Sequence, residues 1–117
     1  MAKRHVRVLP RFRFMRGGDI ALGPGKADLL EAIAKTGSIR LAARELRMSY
    51  MRAWKLIQTM NRCFKKPVVV KARGGELGGE SRLTTLGERM LQLYRKIEFE
   101  SEIRTRKYSQ EIVRELK

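Results

Sequence analysis

The amino-acid sequence predicts an α+β fold, mostly α: an N-terminal strand or hairpin, three short helices, a second hairpin and a long C-terminal helix. Three observations predict it. Apolar residues recur at helical spacing in three runs between Lys26 and Phe64, and Gly37, Ser38 and Ser49 stand at the breaks. A β-branched run, Val68-Val69-Val70, follows Pro67 and leads into the glycine-rich stretch Arg73–Thr85, RGGELGGESRLTT. Helical spacing then resumes at Thr85 and continues almost to the C-terminus.

In chain order, Arg11–Arg16 (RFRFMR) alternates basic and apolar residues, the period of a strand, with Phe12 and Phe14 on one face. Arg16-Gly17-Gly18-Asp19 is a turn signal, Ile20–Leu22 is a short partner strand, and Gly23-Pro24-Gly25 punctuates. From Lys26, Leu29, Leu30, Ile33 and Ala34 form a helical face that ends at Gly37, a residue suited to the left-handed position after a helix. Ser38 is a good N-cap for a second helix, which would turn Ile39, Leu41, Ala42 and Leu46 to the core and Arg40, Arg44 and Arg47 to solvent. Met48 fills the turn. Ser49 caps a third helix with Ala53, Ile57, Met60 and Phe64 on its apolar stripe. Pro67 ends helix formation, Val68 to about Arg73 is a strand, and Ser81–Leu83 is its partner. Thr85-Leu86-Gly87-Glu88 has the form of a capping box for a fourth helix, with Leu86, Met90, Leu93, Tyr94 and Ile97 on one face. Its stripe changes phase toward Tyr108, Ile112 and Leu116, so a kink or break is expected near 105–109. Two short helices joined by a tight turn and followed by a β-hairpin describe a winged helix-turn-helix.

Charge narrows the function. The 117 residues suit one domain and carry 27 Lys+Arg against 12 Asp+Glu, a net charge of +15 with pI near 10.9. Such an excess calls for a polyanionic partner, nucleic acid before anionic membrane. It is also unevenly spread. Residues 1–16 hold six basic and no acidic groups, and residues 38–66 hold eight basic and one acidic.

Several chemistries are excluded or disfavoured. The glycines at 74, 75, 78 and 79 evoke a phosphate loop, but Glu80 and Ser81 follow Gly79 where a nucleotide-binding loop requires Lys and Ser/Thr. A hairpin tip needing positive φ explains them better, and no enzymatic activity is expected. One histidine, His5, and one cysteine, Cys63, cannot make a standard zinc site, so neither metal nor other cofactor is expected. Cys63 reads as a small core residue in a reducing compartment. No apolar run is long enough to span a membrane, and a cytoplasmic location is the default.

What remains is duplex DNA. The third helix, 49–64, is the recognition helix for the major groove. Opposite its apolar stripe lie Met51, Arg52, Lys55, Gln58, Thr59 and Arg62. Ser49, Tyr50, Arg52 and Lys55 lead the candidate contacts: Arg52 or Lys55 to guanine, Ser49 and Tyr50 to phosphate or sugar. Ser38 and Arg40 at the start of the second helix join the DNA-binding set. Lys71, Arg73 and Arg82 at the base of the wing, residues 71–83, are aimed at the backbone. Trp54 adjoins the apolar stripe and is expected to pack within the protein. The arm residues Lys3, Arg4, Arg7, Arg11 and Arg13 suit the backbone or a minor groove.

Residues 22–97 resemble the DNA-binding domain of the molybdate-responsive transcriptional regulator (ModE) family, and more distantly that of LysR-type regulators. The resemblance rests on LGPGKADLLEAIAKTGSIRLAARELRMSYMRAWKLIQTMN together with the wing RGGELGGESRLTTLGERMLQLY. It implies a winged helix-turn-helix that dimerises through its first strand region and long last helix and binds palindromic operators. Apolar residues across Leu86–Leu116, more than one small core needs, independently suggest a homodimer. Such regulators carry a C-terminal oxyanion-binding domain of β structure, whereas this chain ends about 20 residues after the match, so no molybdate binding is expected of it. The expected organisation is a basic arm at 1–10, the DNA-binding domain at 11–98 and a helical extension at 99–117. The reading is a sequence-specific double-stranded-DNA-binding regulator. The alternative is a nonspecific architectural DNA-binding or RNA-binding basic protein.

Overall fold

A computed structural model of the chain describes residues 6–72 and 80–117. Strand β1 (Phe14–Arg16) turns through Gly17, whose φ of 60° suits glycine, into antiparallel strand β2 (Asp19–Leu22). Helix α1 spans Pro24–Thr36. It starts two residues before Lys26 because Pro24 occupies the first turn, where a missing N–H leaves no bond unmade. Gly37, with φ of 70°, closes it by donating its N–H to the Ile33 carbonyl at 2.8 Å.

Helices α2 (Ile39–Glu45) and α3 (Tyr50–Cys63) come next, each capped as the sequence predicts. The Ser38 hydroxyl accepts from the Leu41 N–H at 3.1 Å, and the Ser49 hydroxyl from the Arg52 N–H at 3.0 Å. The turn between them is tight: Arg47 takes a left-handed φ of 55° and the Met48 N–H reaches the Ala43 carbonyl at 2.9 Å. The buried face of α2 differs from expectation. Ala42 and Ala43 are buried, Ile39 and Leu46 pack at the edge of the core, and Leu41 is exposed. Successive helical residues are about 100° apart, so centring the face on two alanines swings Leu41 to solvent.

The wing strands β3 (Val69–Lys71) and β4 (Ser81–Leu83) pair antiparallel, Val69 with Leu83, Val70 with Arg82 and Lys71 with Ser81. The glycine-rich tip, 73–79, lies outside the described residues. The hairpin is bound to its surroundings at both sides. Ser81 donates its N–H to the Gly37 carbonyl at 2.9 Å, and Ser38 bridges Glu80, so the α1–α2 joint acts as a third short strand. On the other side the Asn61 carboxamide of α3 accepts from the N–H groups of Val68 and Val69 at 2.8 and 3.3 Å and donates to the Val69 carbonyl at 3.1 Å.

Helix α4 runs unbroken over Thr85–Arg114. Its N-cap is Thr84 rather than the expected Thr85. Thr84 donates its N–H to the Val68 carbonyl at 2.9 Å and its hydroxyl to the Pro67 carbonyl at 2.7 Å, and the same oxygen accepts from the Gly87 N–H at 3.0 Å. The helix meets β3 so closely that a Cβ on Gly87 would collide with the Val68 carbonyl. No break occurs near 105–109. The phase change in the apolar stripe marks where the helix leaves the core: its buried residues are Gly87 and Tyr94. Tyr94 donates its hydroxyl to the Phe12 carbonyl at 2.8 Å and meets the Phe14 ring edge-on. Arg95 next to it ties α4 to α1 through Asp28 at 2.8 Å and Glu31 at 3.0 Å, and to Glu98 at 3.0 Å. Burial opposes the Arg95 charge, but the hydrogen bonds to these three carboxylates outweigh it and raise its pKa.

The core lies where these elements meet. Leu29, Leu30 and Ile33 of α1, Ala42 of α2, Ala53, Ile57 and Met60 of α3, Val68 and Leu83 of the wing, and Tyr94 of α4 form one buried cluster. The predicted α3 stripe is therefore the seam that fixes which side of α3 faces out.

Candidate nucleic-acid interface

With Ala53, Ile57 and Met60 buried, the opposite side of α3 presents Met51, Arg52, Lys55, Gln58 and Arg62 to solvent. Ser49 and Tyr50 stand exposed at its N-terminal end. Arg40, Arg44 and Arg47 extend this basic surface onto α2 and the turn, and the Arg40 guanidinium lies 5.9 Å from the Tyr50 ring centroid. The structure thus brings Arg40, Ser49, Tyr50, Met51, Arg52 and Lys55 together at one end of the domain.

The remaining predicted residues are placed less simply. Ser38 is half-buried, caps α2 and bridges to Glu80. Thr59 is half-buried and spends its hydroxyl on the Lys55 carbonyl at 3.0 Å. Arg62 pairs with Asp19 of β2 at 3.3 Å, which draws it toward the first hairpin. Lys71 and Arg82 are both exposed, but they belong to successive cross-strand pairs and so project from opposite faces of the wing. Arg73, Lys3 and Arg4 lie outside the described residues, while Arg7, Arg11 and Arg13 are exposed.

Several residues depart from the sequence reading or escape it. Trp54, expected to pack inside, is exposed, because α3 buries one narrow line of side chains and position 54 lies beside it. Asn61 carries the contact between α3 and the wing, which no spacing in the sequence signals. Lys26, at the start of α1, is buried behind α3. Burial pushes its ammonium below the usual lysine range, against the pull of Cys63 and Asp19, and repulsion from Arg52 adds to the effect. Cys63 itself is half-buried, not a full core residue.

A second surface lies at the far end. Beyond Tyr94, α4 exposes Ile97, Phe99, Ile103, Tyr108 and Ile112, and Leu93 just before it is exposed as well. The N-terminal segment runs alongside, leaving a cleft of about 560 Å³ between Val8–Phe12 and Ser101–Val113. Among the described residues no group of His, Cys, Asp and Glu is placed to hold a metal, and no helix is long and apolar enough to cross a membrane.

Residues 26–88 match the bacterial regulatory helix-turn-helix proteins, lysR family. The chain belongs to that family. The matched span starts in α1 and ends in the first turn of α4, so this helix-turn-helix family signature contains α2, α3 and the wing. Among individual relatives, the chain is 40% identical to the molybdenum transport protein ModE of Azotobacter vinelandii over 95 residues, which are 81% of this chain and 35% of that protein. It is 46% identical to the molybdenum-pterin-binding protein MopB of Rhodobacter capsulatus over 77 residues, 66% and 28% respectively. It is 41% identical to the DNA-binding transcriptional dual regulator ModE of Escherichia coli K12 over 71 residues, 61% and 27%. The similarities span between about a quarter and about a third of the length of these curated relatives and support a ModE-type DNA-binding domain within the helix-turn-helix family.

Proposed function

We propose that the chain binds double-stranded DNA sequence-specifically as part of a transcriptional regulator. The observation that carries this reading is the one-sided burial of α3. Its apolar line is sealed into the core, its N-terminus is capped by Ser49, and a basic face is held outward on a rigid support. In this reading α3 enters the major groove. Arg52 and Lys55 reach base edges, Ser49, Tyr50, Met51 and Thr59 line the approach, and Ser38 and Arg40 stand near one phosphate strand. The wing, with Lys71, Arg73 and Arg82, lies on the backbone. The arm 1–10 adds charge, 11–98 is the binding domain, and 99–117 is an extension for assembly.

The protein acts as a homodimer, one copy covering the exposed apolar side of α4 and the β1 region of the other. Leu93, Ile97, Tyr108 and Ile112 are exposed and share one side of α4, and such a row supports this pairing, since an exposed apolar patch favours a partner. It works in the cytoplasm and catalyses no reaction.

Selection of duplexes from a random library by the full chain tests the reading. A preferred, two-fold-symmetric sequence is expected, bound at least about a thousandfold more tightly than random duplex at moderate salt. Equal binding to random DNA and to RNA would favour the nonspecific alternative instead.

A further inference from the structure

The tip of α3 is not only basic. Tyr50, Met51 and Trp54 are 48%, 57% and 41% exposed. Residues three and four apart are neighbours on a helix surface, so Trp54 adjoins both Tyr50 and Met51, and the three form a strip that starts beside the buried line of Ala53 and Ile57 and runs out to Met51 on the outer face. The Arg40 guanidinium lies 5.9 Å from the Tyr50 ring centroid, which holds that ring in place at the edge of the strip.

A contiguous cluster of exposed large apolar side chains marks an interaction surface, and its surroundings say which kind. Arg40, Arg52 and Lys55 flank the strip, all exposed. An apolar protein surface set against this patch would desolvate those cations without pairing them. The exposed apolar residues of α4 are on a different element and already offer a surface for a second copy. A major groove suits the mixture: phosphates along its walls meet the cations, and the 5-methyl groups of thymine project from its floor as apolar targets.

We propose that Tyr50, Met51 and Trp54 form an apolar strip that reads thymine 5-methyl groups in the half-site. This rests on the placement of α3 in the groove proposed above. Arg52 and Lys55 then supply charge and hydrogen bonds, while the strip sets where thymine is required.

The test uses the full chain and the duplex it selects from a random library. Failure to select any sequence brings down the groove placement and the strip together. With a selected duplex in hand, each thymine is replaced by uracil, which removes the methyl and keeps the base pair. At one or more positions wild type is expected to lose about fourfold in affinity, the factor for removing one carbon's worth of buried apolar surface. At those positions the preference for thymine over uracil is expected to shrink in Met51→Ala, in Trp54→Ala or in both. Met51→Ala keeps the test open should Trp54→Ala fail to fold. Trp54 is the only tryptophan in the chain, so its fluorescence reports on the strip directly. Acrylamide quenching should fall sharply when the duplex binds. The proposal is overturned if uracil is tolerated at every thymine, if the loss persists undiminished in both variants, or if Trp54 stays as quenchable bound as free, even though a specific duplex was selected.

Discussion

Helices α3 and α4 solve the same local problem in opposite ways. Each docks one line of side chains into the core and leaves the rest outside. On α3, a 14-residue helix, the outside divides between the cations Arg52, Lys55 and Arg62 and the apolar strip of Tyr50, Met51 and Trp54. On α4, a 30-residue helix, the core takes only the first turns, and the remaining length exposes Ile97, Phe99, Ile103, Tyr108 and Ile112 among ion pairs such as Lys96–Glu100 and Arg106–Glu102. The difference teaches that exposure alone does not define an interface; the charge around it does. In the proposed reading, cations such as Arg52 and Lys55 favour a polyanion, and apolar residues among ion pairs favour another protein surface.

If the two surfaces are independent, they can be broken independently. The largest effect is expected from Ile97→Glu combined with Ile112→Glu, two exposed positions on one side of α4. Sedimentation or light scattering should show a monomer with an unchanged circular dichroism spectrum. Affinity for the two-half-site duplex should drop by about a hundredfold or more, the usual scale of lost avidity. A dimer that persists in this variant would end the assignment of α4. Gly87→Ala addresses the joint between the wing and α4. Neither the Val68 backbone nor α4 can yield easily, so chemical denaturation should show about 3 kcal/mol lost. Arg52→Ala and Lys55→Ala should each cost about 1–3 kcal/mol of specific binding while leaving the unfolding midpoint in place. Wild-type operator affinity in both would mean that α3 is not the reading element. The smallest effect belongs to Arg47→Gly. It relieves a left-handed φ of 55° at about 1 kcal/mol, offset in part by the greater freedom of glycine when unfolded. A rise in melting temperature of a few degrees is expected, and a fall would show that the Arg47 side chain holds the turn.

Much of the fold is legible in the sequence, and the failures share a cause. Ser38, Ser49 and Gly37 are readable because a cap or a left-handed residue acts through neighbours only a few positions away. The α3 stripe is readable because a 14-residue helix repeats its signal several times. Helix α2 has seven residues, too few to fix its phase, so patterning puts Leu41 inside where Ala43 belongs. Thr84 and Thr85 are equivalent as letters; the Pro67 and Val68 carbonyls that select Thr84 come from a distant segment. The expected break near 105–109 assumes that every apolar stripe serves one core, whereas on α4 two stripes face different surroundings. Trp54 fails for a related reason, since hydrophobic patterning treats apolar as buried. The bonds from Arg95 to Asp28 and Glu31, and from Tyr94 to Phe12, join positions more than 60 residues apart and leave no periodic trace.

Arg95 has one more consequence. It is an ionic tie between α1, which packs against the helix-turn-helix, and α4, which carries the proposed dimer surface, and its side chain keeps about a third of its exposure. In the proposed dimer on DNA, ions that weaken the phosphate contacts would also screen this tie and would loosen the link between the two DNA-binding heads. The steepness of binding against salt would then overcount phosphates, because part of the slope would belong to the protein's own stiffness.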